Sequence, residues 1–194
     1  MTVSVEYEVP TWSQIYDMLL ALAQKIQCSG YVPDVIVGVA RGGIIPARIL
    51  TDLLEAPLLA SVQVEFYVDI AQPTLEPTLK QSLTADIAGK RALLVDDIAD
   101  TGKSLKLAQI HLQQQGAAQT KTAALYTKPH SITTPNYYEK QTSRWVVFPW
   151  DTKETLRKIV QRGQGKRVAN QEIAKLVKAG LPKLLADKLL ADMQ

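Results

Sequence analysis

The stretch LLVDDIADTGKS at 93–104 gathers the chain's densest set of groups able to do chemistry. Leu93, Leu94 and Val95 lead into two adjacent carboxylates, Asp96 and Asp97. The apolar run reads as a buried strand, and open α/β sheets bind ligands at the carboxyl ends of their strands. A turn with Ala99, Asp100, Thr101, Gly102, Lys103 and Ser104 follows, and a helical pattern begins there. Backbone N–H groups at a helix start favour an anion, phosphate above all. Gly102 lets a ligand come close to the backbone, and the hydroxyls of Thr101 and Ser104 add donors. Carboxylates accept from sugar hydroxyls and also bind hard cations such as Mg²⁺. A phosphorylated sugar satisfies both halves of this segment.

Two plainer explanations compete. The ending GKS could close a nucleotide P-loop, but the first glycine of that motif would fall at position 97, which is Asp97. Helix capping accounts for Asp100 or Thr101. It does not account for two further carboxylates at a strand end.

A second anion site is suggested upstream by VGVARGGIIP at 37–46. There a β-branched strand turns into a helix through Arg41, Gly42 and Gly43. Exposed N–H groups can clasp an anion, and Arg41 adds charge and a fork of donors. Alone, such a glycine turn is most often only a turn.

The elements that must position these loops follow from periodicity. Apolar spacing predicts helices over 12–27, 44–54 and 103–115, with Gly116 ending the third. Strands are expected at 35–39, 92–95, 121–126 and 144–148, and 58–68 looks extended. Residues 69–82 hold Pro73 and Pro77 with little periodicity, which predicts a loop able to move. Strands alternating with helices imply an α/β fold with a mainly parallel sheet covered on both faces. Further helices are expected at 152–162, 168–179 and 182–192, with Gly163 and Gly165 interrupting them. The organisation expected is a domain with a small hood at 1–162 and a basic helical appendage at 163–194.

Spacing and residue types over 93–104 resemble the phosphoribosyl pyrophosphate (PRPP) signature of type I phosphoribosyltransferases. The 37–46 segment resembles the pyrophosphate loop of the same family. The likeness implies that Asp96 and Asp97 hold the ribose hydroxyls and share Mg²⁺, while Ala99 through Ser104 wrap the 5′-phosphate. It implies that Arg41 and Gly42 bind pyrophosphate, with a cis peptide near Ala40–Arg41. Asp100 would lie near the base and act on its proton, so Asp100 and Arg41 are the expected catalytic residues.

Two further stretches bear on the base. ALYTKP at 124–129 and RWVVFPWD at 144–151 resemble the base-recognition elements of xanthine-guanine and related 6-oxopurine phosphoribosyltransferases. By that likeness Lys128 donates to the purine 6-oxygen, Trp145 stacks on the ring and Val146 offers backbone contacts. Trp150 and Asp151 are assigned to packing. Residues 64–83 occupy the place of the family's mobile loop and look closest to its archaeal purine branch. Relatives often carry an Arg or Lys there to reach pyrophosphate, and here the one cation is Lys80.

Composition sets the bounds. The 194 residues are 46% hydrophobic and 21% charged, an ordinary globular balance. No apolar run is long enough to span a bilayer, and the acidic N-terminal stretch lacks a signal-peptide pattern. A single cysteine, Cys28, fits a cytoplasmic location. His111 and His130 form no metal-binding spacing. The net charge of +3 conceals an asymmetry: residues 155–194 hold nine Lys/Arg against three Asp/Glu. That basic tail reads first as a solvated helical face, and nucleic acid is not expected as a partner. The family likeness implies a homodimer. Purine salvage onto guanine, xanthine or hypoxanthine is the leading expectation. A phosphoribosyltransferase for another base, and a regulatory PRPP sensor of the same fold, remain open.

Overall fold

The computed structural model describes residues 5–67, 76–162 and 165–193. Backbone packing divides the chain into two compact units, Tyr16–Thr142 and Met1–Ile15 with Ser143–Gln194.

The larger unit is built on a six-stranded sheet. Its elements are the greater part of α1 (Trp12–Cys28), then β2 (Val35–Ala40), α2 (Ile44–Leu53), β3 (Leu59–Tyr67), β4 (Glu76–Gln81), β5 (Arg91–Ala99), α3 (Lys103–Gln114), β6 (Gln119–Thr127) and β7 (Tyr137–Gln141). The strand order is β4-β3-β2-β5-β6-β7. All neighbours are parallel except β3 and β4. From β2 the chain moves through α2 to β3 on one side. From β5 it moves through α3 to β6 on the other. The sheet thus reverses its winding between β2 and β5, and a crevice opens at their carboxyl ends.

Alternation along the strands assigns the two faces. Val35, Val37 and Val39 of β2 and Ala92 and Leu94 of β5 share a core with Leu105, Ala108 and Leu112 of α3. The opposite face meets α2. There Gly38 leaves room for the helix, since a Cβ on it would lie 3.0 Å from Ala47 Cβ. Full burial of a large apolar side chain is worth about 1.5–3 kcal/mol, so these two layers dominate the unit's stability.

Register is pinned at the amino ends of the two central strands. Asp34 N–H donates to Arg91 O at 2.8 Å. Arg91 returns its own N–H to Asp34 Oδ2 and closes a fork, Nε to Oδ2 at 3.0 Å and Nη2 to Oδ1 at 2.8 Å. These bonds, the guanidinium's first, lower the Asp34 carboxyl from 3.8 to about 2.

The smaller unit holds β1 (Tyr7–Glu8) paired in parallel with β8 (Trp145–Val146), and the helices α4 (Thr152–Arg162), α5 (Lys166–Lys178) and α6 (Lys183–Ala191). Val147, Leu156, Leu176, Leu181 and Ala186 form one core that takes in Tyr7 and Val9. The last two helices therefore share their core with α4 and the N-terminal segment. The 162/163 boundary read from sequence falls inside this unit. Trp150 stacks on Phe148 with ring centres 4.8 Å apart.

Sequence expectations and structure part in several places, and neither β1 nor β7 is among the expected strands. Residues 76–81 form an edge strand, β4, rather than loop, and 69–75 of that expected loop lie outside the described residues. The strand read over 144–148 contracts to Trp145–Val146, because Val147 and Phe148 turn into the core. The strand β5 runs on past Val95 to Ala99.

The ionic fork has a signed consequence. A carboxyl depressed in the fold adds stability above its unfolded value of 3.8, and that gain is lost as pH falls through about 2. Denaturant midpoints of wild type and Asp34→Asn, followed from pH 6 downward, should therefore differ most at pH 6 and converge below pH 3.8. A difference independent of pH would show that the tie is not ionic.

Candidate active site

The crevice between β2 and β5 receives two loops. Residues 40–43 leave β2 with a cis peptide at Ala40–Arg41. Gly43 N–H then donates to Val39 O, and α2 begins at Ile44. Arg41 is exposed at the rim. From β5, residues 100–102 turn into α3, with Gly102 at φ +76°, a left-handed conformation that favours glycine.

The strand's period of two sends the adjacent carboxylates to opposite faces. Asp96 turns to the α3 face and lines a cavity of about 530 Å³ with Phe66, Ile98, Thr101, Lys103 and Ser104. Asp97 turns to the α2 face, and Gly42 lies against its carboxylate. A Cβ on Gly42 would overlap Asp97 Oδ2 and stand 2.7 Å from Oδ1. Gly43 is as tightly held, with a would-be Cβ 2.7 Å from Val39 O and 2.9 Å from Asp96 Cα. Both carboxylates curl forward over the strand end: Asp97 N–H donates to Asp96 Oδ1 at 2.9 Å, and Ile98 N–H to Asp97 Oδ1 at 2.8 Å. Burial, reinforced by the neighbouring Asp97 charge, pushes the Asp96 carboxyl well above the usual carboxylate range. A ligand offering hydroxyls or a cation there would relieve that burial.

The cavity floor suits a phosphate. The opening N–H groups of α3 have no carbonyl four residues earlier within the helix. Thr101 Oγ1 accepts from Lys103 N–H at 3.3 Å, which tightens the turn. Lys103 Nζ reaches Glu76 Oε1 on β4 at 2.7 Å. The volume lies within the usual range for small-ligand sites.

Lys128 is buried at the end of β6, and its N–H donates to Ala99 O at 3.0 Å. Its neighbour His130 puts Nε2 3.2 Å from Asp100 Oδ1. The larger unit thus holds Arg41, Gly42, Asp96, Asp97, residues 99–104 and Lys128. Trp145 and Val146 belong to the smaller unit, where Trp145 is 48% exposed and its N–H donates to Glu6 O at 2.8 Å. Lys80, the one cation of the expected mobile loop, donates to both oxygens of Glu65, at 2.7 and 2.9 Å.

Sequence reading did not single out Phe66, Glu76 or His130. No local pattern marks the first two. His130 follows Lys128 and Pro129 directly, and its closeness to a candidate site residue was the available signal.

The family model for the phosphoribosyl transferase domain matches residues 11–155. The xanthine-guanine phosphoribosyltransferase of Gluconobacter oxydans is 32% identical over 152 residues, 77% of this chain and 87% of the relative. The crystal structure of a purine phosphoribosyltransferase from Pyrococcus horikoshii is similar at a TM-score of 0.67 and 38% identity, covering 74% of this chain and 93% of that one. The xanthine-guanine-hypoxanthine phosphoribosyltransferase of Helicobacter pylori, 20% identical, shares the fold at a TM-score of 0.67 over 79% of this chain and 99% of its own.

The Gly42–Asp97 approach can be tested directly. Gly42→Ala forces either the loop or the carboxylate aside, at about 1–3 kcal/mol for a small overpacking change. The variant should melt lower yet fold, and calorimetric titration should show PRPP binding weakened well beyond the loss in stability. Binding at wild-type strength would mean that the close approach has no part in the site.

Proposed function

From the premise that this chain belongs to the phosphoribosyl transferase domain family, we propose that it moves the 5-phosphoribosyl group of PRPP onto a 6-oxopurine and releases pyrophosphate. The chain is a phosphoribosyltransferase of purine salvage type. One observation carries the site assignment: the two anion-binding loops meet at the winding reversal of the sheet, with Gly42 held against Asp97.

In this reading residues 99–104 take the 5′-phosphate, while Asp96 and Asp97 accept from the ribose hydroxyls. Arg41 and the N–H groups of the 41–43 loop take the pyrophosphate. The bond from the anomeric carbon to the pyrophosphate oxygen breaks, and its electron pair leaves with pyrophosphate. A purine nitrogen replaces it, and the proton that the base loses passes to Asp100. Little covalent work falls to the protein, so positioning and charge stabilisation supply most of the rate.

Mg²⁺ fits this donor set. Among the described residues no cluster of three or more His, Cys, Asp or Glu forms a protein-only cage. Mg²⁺ commonly shares its shell between one or two carboxylates and substrate phosphates, which matches Asp96 and Asp97. Bound there, it would offset charge on the departing pyrophosphate.

For the base, the family likeness assigns Lys128 as the cation that selects an oxygen at position 6 and Trp145 as a stacking ring. Val146 presents its backbone. A xanthine-guanine relative 32% identical supports the same substrate class. A homodimer and a cytoplasmic location belong to the same proposal, and no described helix is long and apolar enough to cross a membrane.

Pyrophosphate release from PRPP and Mg²⁺, measured in parallel with guanine, xanthine, hypoxanthine, adenine, uracil and orotate, should be confined to the first three. Turnover with another base would discard the pocket assignment. Silence on all six with PRPP still bound would favour a PRPP-sensing protein. Lys128→Ala removes a charged hydrogen bond worth about 1.5–3 kcal/mol, so kcat/KM for the 6-oxopurine should fall roughly 10- to 100-fold while PRPP affinity holds. The double change Asp96→Asn with Asp97→Asn should abolish PRPP use in a folded protein, and normal turnover would remove both residues from the site.

A further inference from the structure

The strands β6 and β7 are parallel, so after Thr127 the chain must travel back before β7 can begin. Residues 128–136 make that return without a helix. They lie against the loop that leaves β5. Lys128 N–H donates to Ala99 O at 3.0 Å, and Ile132 N–H to Thr101 O at 3.0 Å. The two bonds bracket Asp100 in one segment and His130 in the other. Between them, His130 Nε2 stands 3.2 Å from Asp100 Oδ1. Gly102 permits the closeness: a Cβ on it would lie 2.5 Å from Ser131 Oγ and 2.7 Å from Thr133 N.

We propose that His130 is a positioning residue for Asp100, holding one carboxylate oxygen so that the other is presented to the proton of the base. This rests on the transfer reading above, in which Asp100 receives that proton. An ionised carboxylate only accepts hydrogen bonds, so in this pair Nε2 is the donor and carries the hydrogen. The side chains are 65% and 56% exposed. A pair so open to water adds little to stability. Its consequence lies in orientation: an unheld carboxylate samples several rotamers, and only some of them point an oxygen at the base.

The test compares wild type, His130→Ala and His130→Gln with PRPP, Mg²⁺ and whichever 6-oxopurine turns over fastest. General-base catalysis contributes about 10²–10⁴-fold, and losing its orientation should remove a part of that, about 10-fold in kcat for His130→Ala. KM for PRPP should stay unchanged. His130→Gln places an N–H near the same point and should recover most of the loss. The nitrogen-15 shift of His130 Nε2 should depart from that of a free Nε2–H imidazole in wild type, and should return to it in Asp100→Ala. Unchanged kcat in His130→Ala, equal losses in both His130 variants, or an Nε2 signal indifferent to Asp100 would each overturn the proposal. A wild-type enzyme silent on every base would overturn the transfer reading, and the positioning role with it, while the Nε2 signal would still report whether the pair exists.

Discussion

The pairing of β2 with β5 is the constraint on which the rest of the molecule depends. These strands are neighbours in the sheet although β3 and β4 separate them in the chain. Each is followed by a loop and a helix, and the helices lie on opposite faces. Two loops that would otherwise be remote are brought to one edge and diverge from it. The register runs from Val35 opposite Ala92 to Gly38 opposite Val95. A shift by one residue would turn Asp97 toward α3 and bury Asp96 against α2. The fork between Asp34 and Arg91 at the far end of the same strands guards against that shift, while the apolar layers supply the stability.

Closeness at the carboxyl end then demands glycine. Gly42 and Gly43 approach the backbone and side chains of 95–97 to distances that no Cβ would allow. Gly102 does the same for the 131–133 segment. Gly42 and Gly43 are fixed by contact with another part of the chain rather than by the turn they occupy, and Gly102 is required by both. Gly42 has no positive φ and still cannot be replaced without displacing Asp97. The electrostatic counterpart is Asp96. Burial and the Asp97 charge both oppose its ionisation, so this edge is poised toward ligands that donate hydrogen bonds or bring positive charge.

The sequence made most of the central sheet and the two glycine-containing loops legible because each lies in a continuous segment. An apolar run, a pair of acids and a glycine turn are local patterns, and chain order supplied the parallel connections. What depends on distant contacts was not legible. The β4 strand carries Pro77, which reads as a breaker, yet Pro is tolerated on an edge where no N–H is needed. Two-residue β1 has no pattern of its own and exists because Tyr7 and Glu8 find Trp145 and Val146. The helices after Gly163 looked like an appendage because glycine interrupts them. Their apolar residues share a core with Val147 and Leu156, which only the folded chain reveals. The opposite facing of Asp96 and Asp97 follows from strand alternation, once β5 is seen to continue past Val95.

The non-helical return from β6 to β7 bears on how one edge could serve two ligands. A helix in that connection would have carried residues 128–136 away over a face of the sheet, as α2 and α3 do for their own connections. An irregular segment can instead follow the loop beside it, donating the N–H groups of Lys128 and Ile132 to Ala99 O and Thr101 O as it goes. Lys128, the cation proposed for the base, is thereby tied through its own N–H to the residue that opens the proposed phosphate loop. In the proposed site, any movement of the 99–102 loop would pull on the backbone of Lys128 and on the segment that carries His130. Coupling of this kind needs no long path, since two hydrogen bonds at 3.0 Å join the segments. It gives a physical reason for the base side of the site to respond to what occupies the phosphate side.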